Sequence, residues 1–149
     1  MQRLRARVAI WWTDRHPEAL TAAATLWRAS GRYERAALYA EQAFERLRLG
    51  HTELDSEAEK VLMIEAATTG ALACAGLRNQ AKDETGKALL AAAVVHWAEK
   101  LGELSLAALL GDVLDSPTLR DLRPALQVVA DRAIARAATA EAARRSADA

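Results

Sequence analysis

The sequence predicts an all-α fold of about seven helices, and three observations carry that expectation. Apolar residues fill 52% of the 149 positions while only 5% are aromatic, so Ala and Leu supply most of the apolar surface. Ala loses no side-chain entropy in a helix and Leu loses little, which makes them the strongest helix formers among apolar residues. Apolar positions recur at helical spacing along most of the chain, and no stretch alternates as a half-buried strand does. The breaks between periodic segments are two to six residues long, and connections that short force successive helices to run antiparallel. A single domain over residues 1–149 is expected, with helix hairpins stacked as a short right-handed solenoid or gathered into a compact bundle.

The segments follow in order. An N-terminal helix is placed within residues 1–15, where Leu4, Val8, Trp11 and Trp12 fall on one face. Pro17 suits the first position of the next helix, where a missing N–H costs nothing. That helix carries Leu20, Ala24 and Trp27, and Ser30-Gly31 ends it. A partner helix from about residue 32 to 49 places Ala36, Ala40, Ala43, Phe44 and Leu47 on one side and stops at Gly50. A longer hairpin is expected over 53–102. It opens at Ser56-Glu57-Ala58-Glu59, which reads as a capping box. Gly70 is a weak point inside its first helix, and Gly76 is taken as that helix's end. Its second helix, about 79–101, carries Leu90, Val94, Trp97 and Leu101, with Gly86 weakening the first half and Gly102 ending it. A third helical pair is placed over 103–143. Ser116-Pro117 restarts it with a cap followed by proline, Pro124 divides the remainder, and 144–149 reads as a frayed tail.

Residues 17–50 carry a pattern more specific than helicity. A first helix holds a large residue (Leu20), then a small one (Ala24), then an aromatic (Trp27). Gly31 and Tyr33 form the turn, and Ala36 and Ala43 are the small residues of the second helix. This unit resembles a tetratricopeptide repeat. The resemblance is clear only over 17–50. A second such turn near Gly76 and Gln80-Ala81 would have Arg78 or Asn79 in place of the aromatic. The resemblance implies a TPR-like stack of hairpins whose first helices line a concave groove, and a peptide or protein partner bound there. Candidate partner-binding residues on the outward faces are Thr21, Thr25, Arg28, Lys60 and Thr68.

Charge and chemistry narrow the function classes. Twenty basic and twenty acidic residues balance. A nucleic-acid partner is therefore not expected, because such binders carry a basic excess. No uninterrupted apolar run approaches the roughly 18 residues of a membrane span. The lone Cys74 lies in an Ala-rich run and reads as a buried small hydrophobe in a reducing, cytoplasmic setting. His96 and Glu99 share a helix face, but no second element of that kind faces them, and His16 and His51 fall in turns. Thr85-Gly86-Lys87 lacks the first Gly and the final Ser or Thr of a phosphate-binding loop. Asp112 and Asp115 alone are too few for a metal. Neither catalysis nor a metal or cofactor is expected.

Three functions stay open at this level. The first is a peptide-binding scaffold of the helical-repeat type. The second is a homo-oligomeric assembly protein, a homodimer in the simplest case, that uses Trp11 and Trp12, since tryptophan is enriched at interface hot spots. The third is a sensor or enzyme with an interhelical pocket walled by Trp27 and Trp97.

Overall fold

The computed structural model describes residues 16–50 and 52–148, and among them every regular element is helical. Among the described residues there are six α-helices, against about seven expected for the whole chain: α1 (Pro17–Ala29), α2 (Tyr33–Leu49), α3 (Ser56–Gln80), α4 (Glu84–Leu104), the three-residue α5 (Leu106–Ala108) and α6 (Arg123–Asp148). A π-helical turn, Leu109–Val113, continues α5, and a 3-10 segment, Pro117–Leu122, precedes α6. The expected helix within 1–15, with Trp11 and Trp12, lies outside the described residues.

The first hairpin forms where its sequence signals stand. Pro17 occupies the first turn of α1. Gly31 and Gly50 both adopt the left-handed conformation, at φ 79° and 72°. A residue with a Cβ is disfavoured there, so glycine is the natural choice after each helix. The two aromatic wedges found in the structure sit on α3. Tyr33, at the start of α2, lies against Gly76 near the end of α3, so α2 and α3 run antiparallel. Trp97 of α4 lies against Gly70 of α3 and meets Phe44 of α2 edge-on at 5.6 Å. Such a pair contributes about 0.5–1.5 kcal/mol beyond its buried area.

These seats correct two expectations. Gly76 does not end a helix, because α3 continues to Gln80 and the turn falls at 81–83. Gly70 is the contact surface for Trp97, so what it costs in helix propensity is offset by packing that a larger residue would prevent. Gly86 likewise belongs to a cap: its N–H donates to Asp83 Oδ1 at 3.0 Å. Gly102 does not stop α4, which runs on to Leu104. The cap of α3 is Asp55 rather than Ser56, accepting from the Ala58 N–H at 2.8 Å. Glu59 bonds Thr52 instead of reaching back.

α3 is the central helix. It packs against α1, α2 and α4, and Ala66, Ala67, Ala71, Ala73 and Ala75 are fully buried along it. Small side chains on this scale let the neighbouring helices approach closely. α3 also has the length and composition of a membrane-spanning helix. In the fold its apolar side chains are used to join the other helices. α6 packs on α4 through Leu126, Val129, Ala130 and Ala133. The Arg136–Glu103 ion pair lies at the edge of that contact. α6 is helical to Asp148 instead of fading at 143, although none of residues 134–148 is buried. Its last turns rest on alanine propensity and on Glu141 paired with Arg144 and Arg145.

Candidate functional site

The C-terminal ends of α1 and α3 meet the segment that links α5 to α6, and a cleft of about 550 Å³ opens between them. One wall is Arg28 with Tyr33. The floor is Leu72, Gly76 and Asn79. The opposite wall is Gly111, Asp112 and Asp115, closed by Ser116, Pro117 and Thr118.

The floor follows from helix geometry. Thr68, Leu72 and Gly76 recur every four residues and lie within about 80° of one another on one face of α3. Lys60 is exposed, and Ile64, Thr68 and Leu72 are partly buried. Of the sequence-selected residues on α3, Thr68 stands one turn before Leu72 on that face, whereas Lys60 lies about 120° round the helix and about 18 Å along it from Leu72, away from the cleft. Arg28, on α1, borders the cleft directly.

Thr21 and Thr25 behave differently from expectation. Thr21 is only 1% exposed and donates to the Pro17 carbonyl at 2.8 Å, so it is not a groove residue. Thr25 donates to the Thr21 carbonyl and faces Glu65 of α3 at 3.4 Å. The reason is that α1 packs on α3 as well as on α2. The 21/25/28 face of α1 is turned toward α3, and only its end, at Arg28, emerges at a cleft. The outward positions of α1 include Leu26, which is 71% exposed.

The far wall is placed by an ion pair. Arg78, in the last turn of α3, donates to both carboxylate oxygens of Asp121, at 2.8 Å to Oδ1, and to the Thr118 carbonyl at 3.1 Å. This fastens the 3-10 segment to the end of α3. The Arg78 guanidinium holds the Asp121 carboxyl below the usual carboxylate range. Arg123 adds a bond to the Leu114 carbonyl at 3.1 Å. On the other side of Pro117 and Thr118 a second cleft, about 760 Å³, shares Asn79 with the first. Its charges are largely satisfied: Arg78 holds Asp121, and Lys87 lies 3.8 Å from Glu84.

In the first cleft the charged side chains form no ion pair among the described residues, Asp112 and Asp115 being exposed and Arg28 partly buried. The Arg28 Nε is buried without an acceptor, and among the described residues the guanidinium has no hydrogen bond or ion pair. The carboxylates of Asp112 and Asp115 likewise have none among the described residues. Asp112 stands on the π-helical turn, a conformation that recurs at functional sites because it re-aims side chains at a cost in helix geometry.

Sequence inspection noticed Asp112 and Asp115 only as an insufficient metal pair, and it missed Asn79, Pro117 and Thr118. Their spacing along the chain carries no signal, since they meet only when α3 docks on the 3-10 segment. No group of three metal-ligating side chains occurs among the described residues. His96 is exposed, and no such group includes it with Glu99. Trp27 and Trp97 do not wall a common pocket: Trp97 is buried in the core and Trp27 lies under the Arg35 guanidinium at 4.8 Å. Burial pushes the Cys74 thiol up from its ordinary value, which suits the small apolar role expected of it. Comparison of the chain with protein-family models, with curated proteins and with solved structures finds no match.

Proposed function

We propose that this chain is a protein-interaction module of the TPR-like type that seats a peptide segment of a partner in the cleft between Arg28, the end of α3 and residues 111–118. The observation that carries the proposal is a cleft lined by charged groups that form no ion pair among the described residues, floored by the end of α3. An acceptor brought by a ligand to the Arg28 guanidinium, which has no partner among the described residues, makes a charge-assisted bond worth about 1.5–3 kcal/mol. The packing order also supports it. α1 touches α3 as well as α2, which is how successive repeats stack in a helical-repeat array. Charged side chains on both walls favour a peptide over a purely apolar small molecule.

The test is selection from a displayed library of short random peptides, with the Arg28→Glu variant as counter-target. The proposal expects enriched peptides whose affinity falls about tenfold or more on Arg28→Glu, the loss of one charge-assisted contact. Helicity by circular dichroism should be unchanged. Absence of enrichment, or peptides that bind both proteins equally, contradicts it.

A further inference from the structure

We infer that the segment taken by this cleft is of mixed charge, with a Lys or Arg side chain seated by Asp112 and Asp115 and a carboxylate a few residues away seated by Arg28; this rests on the peptide-binding proposal above. Elsewhere near the end of α3, charges of opposite sign find each other. Arg78 takes Asp121 and Lys87 approaches Glu84. Arg28, Asp112 and Asp115 share one cleft, yet they form no ion pair among the described residues. One cation, Arg28, and two anions, Asp112 and Asp115, therefore stand on opposite walls without an ion pair among the described residues.

A ligand of one sign answers one wall and is repelled by the other, and that repulsion is a source of specificity. Only a ligand carrying both signs neutralises both. Its carboxylate can accept two parallel N–H bonds from the planar guanidinium. Its cation lies between two carboxylates three residues apart. Between the charged walls lie Leu72 and Gly76, the latter against the Tyr33 ring. That apolar floor fits peptide backbone and aliphatic stems.

The test uses the strongest peptide from the library selection and three versions of it: acidic positions made neutral, basic positions made neutral, and both. Binding is read by fluorescence anisotropy to the whole chain. Loss of either sign is expected to weaken binding about tenfold or more, the worth of one hydrogen-bonded charge. Arg28→Gln should abolish the benefit of the peptide's acid and leave that of its base. Asp112→Asn with Asp115→Asn should do the reverse. Binding that is indifferent to the peptide's charges, or variants that fail to uncouple the two signs, overturns this inference while the peptide proposal stands. A library without binders overturns both. Higher salt should weaken the parent peptide and spare the doubly neutral one, as screening requires.

Discussion

Replacing Gly70 by alanine sets two effects against each other, and the structure decides between them. Inside a helix alanine is favoured over glycine by about 1 kcal/mol. A Cβ at Gly70, however, would stand 2.5 Å from Trp97 Cε2 and 2.8 Å from Cδ2. Trp97 is 6% exposed and is held edge-on by Phe44, so its ring has no open direction in which to retreat. α3 and α4 would have to part. Forcing a methyl group into a packed core costs about 1–3 kcal/mol, so the net expectation is a loss of about 1 kcal/mol and at most about 2. Gly76→Ala meets Tyr33 at 2.6 Å. That ring is only half-buried at the edge of a cleft and can swing, which leaves a net change within about 0.5 kcal/mol of zero. Gly111→Ala meets nothing within 4 Å and has no positive φ, so it should stabilise by about 0.4–1 kcal/mol through the unfolded state. Urea unfolding followed by circular dichroism separates the three. A Gly70→Ala protein as stable as the parent would refute the claim that Trp97 is seated on that glycine.

Two further outcomes follow from charge and burial. Because Asp121 is held below its ordinary value of 3.8 by Arg78, the pair's contribution is fully present at neutral pH and is lost as pH falls through the lowered folded value. Urea midpoints should fall from about pH 5 to pH 2 more steeply for the parent than for Asp121→Asn, and parallel slopes would count against the pairing. The Cys74 thiol, buried and shifted up, should react with an aromatic disulfide reagent only at the rate of unfolding and quickly in urea. Rapid labelling of the folded chain would contradict its burial.

The sequence signals that survived were local ones. Pro17, Gly31 and Gly50 set the ends of the first hairpin because each acts through its own backbone. Pro117 marked a restart for the same reason, though of a 3-10 segment and without a capping bond from Ser116, whose hydroxyl meets Thr118 instead. The glycines of the longer hairpin misled, since their role is tertiary. Gly70 and Gly76 look like breaks along the chain and become aromatic seats only once α2 and α4 are in place. The groove residues divided on the same ground. Arg28 borders the cleft and Thr68 stands one turn from its floor, while Lys60 lies farther back and round the helix and Thr21 was drawn inward by α1 packing on α3. Asp112 and Asp115 acquire significance from Arg28, more than eighty positions away in sequence, and periodicity could not supply that neighbour.

The central claim is that the cleft at Arg28, Asn79 and Asp112 is where a partner peptide sits. A ¹H–¹⁵N spectrum of the chain titrated with a library-selected peptide tests it most directly. The account predicts that the amides that move cluster at Arg28, Tyr33, Leu72 to Asn79, and Gly111 to Thr118, and that Arg28→Glu removes those shifts. Shifts confined to the opposite side of the first hairpin, around Leu38 to Leu49, would place the partner elsewhere and contradict it.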